Sequence, residues 1–243
     1  MRLITPQTGL SQGLRTGAPP LRVRGGIPLV LSDGNTVAWY MADDLSTVTK
    51  DGSNLVSRWN DKLGSGRNLI QATGTNQPLW VTPDSILFDG IDNYLKTTTF
   101  TYNQPEMIYA VIKQVTWTLN DRILDGFTNG AGELRQSAST PGIRILAPTA
   151  MTSDTSLAIN TWGIVRMLIN STNSKIIVNN TPTITGDAGT NNMGGFTLGA
   201  NGAQASCSNI QVKEIILRKG VDTSDNETII YNYLANKYGF TAI

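Results

Sequence analysis

Hydrophobic and polar positions alternate in short runs along most of the chain, from residue 35 onward. Clusters of Gly, Asn, Asp and Ser separate these runs, which is the pattern of strands joined by turns. No helical pattern alternates with the runs, so they favour an antiparallel two-sheet sandwich over a parallel α/β sheet. The nine predicted strands span residues 36–40, 85–88, 106–113, 121–125, 142–146, 162–169, 175–178, 194–198 and 211–217.

One helix is predicted, near the C-terminal end. Ser224 and Glu227 have the spacing of a capping box, and Gly239 stands where a glycine commonly ends a helix. The apolar residues between them form one stripe at helical spacing, namely Ile230, Tyr233, Leu234 and Tyr238. We therefore expect a short helix that packs on the sandwich.

The first 34 residues differ from the rest of the chain. They are interrupted throughout by Gly and Pro, contain no acidic residue before Asp33, and hold four arginines, Arg2, Arg15, Arg22 and Arg24. We interpret residues 1–34 as an extended basic arm and residues 35–243 as the sandwich domain. Two readings of the arm stay open, a loose terminus and a tether that becomes ordered against a partner. Nucleic-acid binding is a weaker third, because four scattered arginines without aromatic residues between them make a poor footprint.

Composition removes several classes of function. Charged residues make up 15% of the chain and the net charge is +1, so no overall field draws the protein to nucleic acid or to an anionic membrane. Histidine is absent, which excludes Ser-His-Asp and Cys-His chemistry and every zinc site that uses histidine. The single cysteine, Cys207, cannot form an internal disulfide.

The hydropathy pattern also predicts where the protein is made. No apolar run approaches the ~20 residues that span a bilayer, and the first ten residues lack the apolar core of a secretion signal. We therefore expect synthesis in a cytoplasm without membrane insertion.

Two stretches are distinctive when taken together. The first begins with Trp59 and Asp61, and the second contains Phe88, Asp89 and Gly90. With Trp162 opening a later strand, this order resembles the concanavalin A-like lectin/glucanase superfamily, and most of all the laminin G-type domains of bacterial surface and phage proteins. The resemblance covers about residues 36–240 and implies an all-β jelly-roll sandwich that binds glycans or proteins, with glycan hydrolysis in some relatives.

The residues of these motifs have structural readings. Phe88 ends a strand in the core, Asp89 bonds to the amides of a turn, and Gly90 supplies backbone freedom. In the alternative, Asp89 and Asp92 ligate calcium as in some relatives, although two carboxylates are too few for a calcium cage. We interpret Trp59 and Trp162 as core anchors rather than sugar platforms.

The acidic residues do not show the pattern of a glycosidase on this fold. Such enzymes take two carboxylates from one strand face, as an i, i+2 pair provides. Three of the four glutamates lack an acidic residue at that spacing, namely Glu106, Glu133 and Glu214, and the fourth, Glu227, has Asp225 at that spacing within the predicted helix rather than on a strand. The sequence therefore predicts a protein that is not an enzyme.

Binding is expected on the turns, because a rigid sandwich holds recognition loops at its ends. The loop runs 128–140, 148–160 and 199–208 are rich in small hydrogen-bonding residues. From these runs and their neighbourhood we take four candidate ligand-binding residues, Trp117, Asn129, Asp154 and Asn201.

The sequence-based hypothesis is a virion structural or accessory protein of a tailed phage, such as a capsid decoration, fibre or tail component. In this hypothesis the arm docks on other virion proteins, the chain forms a homo-oligomer such as a trimer, and the lectin-like domain contacts a host glycan. The alternatives are a free bacterial lectin and, with less support, a glycoside hydrolase. Deletion of residues 1–34 distinguishes the first two, because only the virion protein needs the arm for assembly.

Overall fold

The computed structural model describes residues 23–24 and 26–243 and is mostly β-structure. The predicted antiparallel sandwich with a C-terminal helix is confirmed. The helix, α1, spans Ser224–Tyr238, and the strands in chain order, β1 to β18, are Val23–Arg24, Ile27–Pro28, Thr36–Met41, Val48–Lys50, Val56–Trp59, Leu69–Ile70, Leu79–Val81, Ser85–Asp89, Leu95–Lys96, Glu106–Gln114, Arg122–Asp125, Glu133–Gln136, Ile143–Leu146, Trp162–Ile169, Ser174–Val178, Ile184–Gly186, Thr197–Leu198 and Asn209–Lys219.

The first large sheet is built around β18, its longest strand. Its order is β16-β15-β14-β10-β18-β8-β7, and β3 pairs with the C-terminal half of β18 on the edge that β8 leaves free. The central strands β10 and β14 are apolar and buried along nearly their whole length. A strand that is buried on both faces reads as a continuous apolar run, which is why these strands were predictable.

The second large sheet has the order β13-β12-β11-β17-β9-β6-β5-β4. Its inner face packs against the inner face of the first sheet. The core between them includes the fully buried rings of Trp59, Tyr40, Phe88 and Phe196. Burial of these two apolar faces against each other stabilises the two-sheet architecture.

Helix α1 covers the outer face of the first sheet. Its residues Ile230 and Leu234 are fully buried and pack with Trp39, Tyr109 and Ile216 of that face. The N-cap lies one residue earlier than predicted, at Thr223, whose hydroxyl accepts the N–H of Asn226. Gly239 ends the helix in the left-handed region, as the sequence predicted.

The packed part of the sandwich domain begins before residue 35. A 3-10 turn over Leu29–Ser32 places Val30 and Leu31 in the buried cluster beneath α1, so the predicted boundary after residue 34 cuts through packed chain. Arg2, Arg15 and Arg22 lie outside the described residues. Arg24 belongs to β1, and no helix in the part of the chain that the structure describes has the length and apolar character to cross a membrane.

Candidate functional site

The outer face of the second sheet carries a row of side chains that crosses five strands. Direct cross-strand pairing joins Arg58 to Ile70, Ile70 to Lys96, Lys96 to Thr197, and Thr197 to Asp125. Paired residues point to the same face of a sheet. Helix α1 lies on the other sheet, and Arg58, Ile70 and Lys96 remain exposed or half-buried.

A second row lies beside the first and consists of arginines. Arg122 pairs with Arg135, and Arg135 pairs with Arg144. Glu133 lies among them and accepts from Arg122 Nε at 3.2 Å and from Arg135 Nη1 at 3.4 Å. All three arginines are partly exposed, whereas the Glu133 side chain is almost completely buried.

Asp125 anchors two loops above this face. Its carboxylate oxygens accept four backbone N–H groups, those of Gly126, Gly130, Gly132 and Gly202, at 2.7–3.2 Å. Burial raises the pKa of Asp125, although these hydrogen bonds oppose the shift. The loops 126–132 and 199–205 are therefore fixed to the sheet through one carboxylate.

Lys96 links the first row to the same loops. Its ammonium group donates to the carbonyl of Gly202 at 2.6 Å and lies 4.1 Å from the ring centroid of Phe127. Burial lowers the pKa of Lys96, and the charge of Asp125 opposes that shift. Lys96 therefore presents only part of its hydrogen-bonding capacity to solvent.

Replacement of Asp125 by Ala should destabilise the protein by about 2–3 kcal/mol, because the buried loop amides lose their acceptor. Asp125→Asn should lower the free energy of unfolding by less, since one side-chain oxygen remains as an acceptor. Urea unfolding of the three proteins measures the difference. An Asp125→Ala protein as stable as the wild type would show that the loops do not depend on this carboxylate.

The structure brings together two carboxylates that the sequence analysis treated as isolated. Leu124 pairs with Leu134, so in an antiparallel pair the next residues, Asp125 and Glu133, lie opposite each other on β11 and β12. The sequence analysis looked for acids two residues apart on one strand. Neighbouring strands place acids on one face equally well, and only the register reveals the pair.

Two of the predicted ligand residues lie on contacting loops. Asn129 is exposed on loop 126–132, and Gly202 of the other loop packs directly against the backbone of Thr128 and Asn129. Asn201 is buried, and its side-chain oxygen accepts the N–H groups of Ala203 and Ala205. Asn201 is thus used within its own turn.

The other two predicted ligand residues flank the start of β13. Trp117 is half-buried and donates from Nε1 to the carbonyl of Gly142 at 2.9 Å. Asp154 is buried, forms a bridge with Ile143, and accepts the N–H of Ser156. The structure therefore does not bring the four predicted residues into one site.

The residues of the sequence motifs have structural roles in the sandwich. Trp59 and Phe88 are fully buried, and Asp61 accepts the N–H groups of Trp39, Leu63 and Ser65. The ring of Trp162 is half-buried, and the ammonium groups of Lys113 and Lys213 lie over it. Gly90 has a positive φ, and a Cβ there would lie 2.9 Å from Asn209.

The two aspartates proposed as calcium ligands do not form a cage. Asp89 Oδ1 accepts the N–H groups of Ile91, Asp92 and Asn93, the arrangement of a turn. Among residues 23–24 and 26–243, no three acidic, cysteine or histidine residues converge as metal ligands. Calcium needs six to eight oxygen ligands, so these residues do not fit the ion.

A cleft of about 480 Å³ lies on the opposite side of the molecule, beside α1. Its two cations are neutralised within the protein: Lys62 pairs with Asp44 at 2.6 Å, and Lys237 pairs with the buried Glu214 at 2.7 Å. The charged groups of this cleft are thus paired, whereas in the arginine row Glu133 is the one acid that forms ion pairs among the described residues.

Solved structures similar to this chain include a sialidase and an arabinofuranosidase. Trypanosoma rangeli sialidase, in complex with 2,3-difluorosialic acid as a covalent intermediate, is 16% identical with a TM-score of 0.60, covering 92% of this chain and 36% of the sialidase. A GH54 α-L-arabinofuranosidase soaked with a cyclic sulfate inhibitor is 12% identical with a TM-score of 0.62, covering 84% of this chain and 64% of the enzyme. The chain thus spans less than two thirds of each enzyme. No protein-family model and no curated protein matches the sequence.

These neighbours correct the sequence-based hypothesis. The prediction of a non-enzymatic virion protein is wrong, because the structures that share the fold include a sialidase and an arabinofuranosidase, and nothing supports a phage context. The β-sandwich part of the resemblance is supported. The spacing rule for acids on one strand also overlooked Asp125 and Glu133, which lie opposite each other on neighbouring strands.

Proposed function

We propose that this chain is a carbohydrate-active β-sandwich that binds a saccharide across the outer face of its second sheet. The fold shared with the sialidase and the arabinofuranosidase supports carbohydrate as the ligand class. The observation that carries the proposal is the accessible row of Arg58, Ile70 and Lys96 on a face that α1 leaves uncovered.

The chemistry of the rows suits a saccharide. Arg58 and Lys96 offer donors to sugar hydroxyl groups, and Ile70 between them offers an apolar contact to the C–H face of a sugar ring. Strands in a sheet are spaced by about 4.8 Å. Thr197 and Asp125 at the far end of the row are completely buried. The accessible part, from Arg58 to Lys96, crosses three strands and is about 10 Å long, enough for about two sugar rings.

A second candidate function is glycoside hydrolysis at the same face. Asp125 and Glu133 lie opposite each other, and the raised pKa of Asp125, caused first by burial, is the direction that a general acid requires. In the present conformation four amides occupy the Asp125 oxygens. Proton transfer would require the loops 126–132 and 199–205 to release it.

The proposal is tested by titrating the full chain with a panel of neutral and acidic oligosaccharides in a calorimeter, and by chromatography of the same mixtures after incubation. We expect saturable binding. Arg58→Ala should weaken it by about tenfold, the loss of one charge-assisted hydrogen bond. Lys219→Ala, at an exposed position on β18 of the other sheet, is the matched control and should bind like the wild type.

The two candidate functions separate in this experiment. Products that form with the wild type and not with Glu133→Gln would establish hydrolysis at this face. Binding without products would restrict the activity to recognition. If no saccharide of the panel binds and none is cleaved, the proposed function is overturned.

A further inference from the structure

The arginine row is an unusual arrangement for a sheet. Arg122, Arg135 and Arg144 occupy directly paired positions on three adjacent strands, and like charges that face each other across strands destabilise a sheet. Glu133 contacts Arg122 and Arg135. Asp121 is also close enough to Arg122 for their charges to interact. With two carboxylates for three guanidinium groups, the cluster keeps an excess of one positive charge.

Several donors of this cluster also lack acceptors. Arg144 makes no hydrogen bond or ion pair through its side chain with any of residues 23–24 and 26–243. The Nε atoms of Arg135 and Arg144 are buried and find no acceptor among the same residues. Burial, together with the charges of Arg144 and Arg122, lowers the pKa of Arg135 although Glu133 opposes the shift. The cluster therefore carries positively charged donors for which the described residues supply no acceptor.

We infer that the arginine row binds an anionic group, the carboxylate or sulfate of an acidic saccharide. Guanidinium groups match carboxylate and sulfate oxygens with two parallel hydrogen bonds, and a second anion beside Glu133 would balance the remaining charge. The saccharide part of this inference rests on the proposed function, whereas the anion site does not.

The position of the row allows a ligand to reach it. The side chains of Arg122 and Arg135 are 15% and 13% exposed, and Arg144 lies on β13 at the edge of the sheet. The row adjoins the longer row from Arg58 to Asp125. Because Thr197 and Asp125 are buried, a saccharide bound at Arg58, Ile70 and Lys96 would bring an acidic substituent to the arginines by extending over the loops 126–132 and 199–205.

The anion site is tested first without any sugar, by thermal unfolding during a titration with sodium sulfate. Sulfate stabilises proteins in general by exclusion from their surface, so the comparison is between variants. The wild type should show a saturable rise in Tm beyond that of Arg144→Gln, and Lys219→Gln should behave like the wild type. Equal sulfate responses in the wild type and Arg144→Gln would overturn the anion site.

The saccharide is tested with hexagalacturonate, its fully methyl-esterified form, and a heparin hexasaccharide. The uronate or the sulfated ligand should bind at least about tenfold more tightly than the neutral ester, the effect of one charge-assisted contact. Arg144→Gln should remove this preference and leave binding of the ester unchanged. The relative affinities of the two acidic ligands distinguish carboxylate from sulfate.

The outcomes separate the two proposals. Saccharide binding without an acidic preference would overturn this inference and leave the proposed function intact. A sulfate response that depends on Arg144, with no saccharide bound, would support the anion site and overturn the proposed function. A single-stranded oligonucleotide that binds more tightly than both acidic saccharides would overturn the saccharide assignment.

Discussion

Replacement of Arg218 by Met should destabilise the protein by about 3–5 kcal/mol, the usual effect of removing one partner from a buried ion pair. The Arg218 side chain is completely buried and pairs with Asp222 at 2.7 Å and with Asp33 at 2.9 Å. It also donates to the carbonyl of Val30 and to the hydroxyl of Thr36. Without the guanidinium group, Asp222 would remain in the interior with only the Tyr109 hydroxyl as a polar contact on its side chain.

Controls separate this network from a general effect of substitution. Lys219→Met, at the exposed neighbouring position, should change the free energy of unfolding by less than about 0.5 kcal/mol. Combining Arg218→Met with Asp222→Asn should recover part of the loss, because the unpaired buried charge is removed. Urea unfolding of the four proteins measures these effects. A loss below about 1 kcal/mol for Arg218→Met would contradict the role assigned to the network.

Protein stability should fall as the pH rises from about 5 to about 8, because of Glu106. This carboxyl group is completely buried on β10, and burial raises its pKa to about 8 although the N–H of Met193 donates to it. Its second oxygen is buried without a partner among the described residues. Between these pH values the native state holds a proton that the unfolded state has released, so rising pH favours unfolding.

The expected slope is up to about 1.4 kcal/mol per pH unit, the value for one proton. The stabilisation due to protonated Glu106 is complete below the unfolded pKa and is lost as the pH rises through about 8. Glu106→Gln cannot ionise and should lack this component. The measurement is urea unfolding of both proteins at several pH values between 5 and 9. Parallel pH profiles for the two proteins would contradict the buried, protonated state of Glu106.

The first sheet and the helix were largely predictable because their signals are local. The predicted strand 106–113 corresponds to Glu106–Gln114, and the predicted strand 162–169 corresponds to Trp162–Ile169. Both are long apolar runs that any pairing would bury. The apolar stripe of the helix likewise required no knowledge of its neighbours.

The second sheet was harder to predict because several of its strands are only two residues long. Leu69–Ile70, Leu95–Lys96 and Thr197–Leu198 cannot show an alternating pattern. They are strands because the partners on each side fix them. Their existence is a property of the tertiary structure rather than of the local sequence.

The candidate site was missed for the same reason. Arg122, Arg135 and Arg144 are separated along the chain by loops, and only the strand register aligns them. The sequence analysis searched the loops for recognition residues. The side chains of Asn201 and Asp154, however, accept hydrogen bonds from backbone N–H groups of their own turns. A search for basic residues at outward positions of neighbouring strands would have found the row.

The central claim is that a saccharide binds the outer face of the second sheet. It is tested most directly by following the backbone amide signals of the isotope-labelled full chain by NMR during a titration with hexagalacturonate. We expect the signals of β5, β9, β11, β12 and β13 to shift with one common affinity. Shifts confined to α1 and the cleft beside Lys62 and Lys237, or no shifts, would contradict the claim.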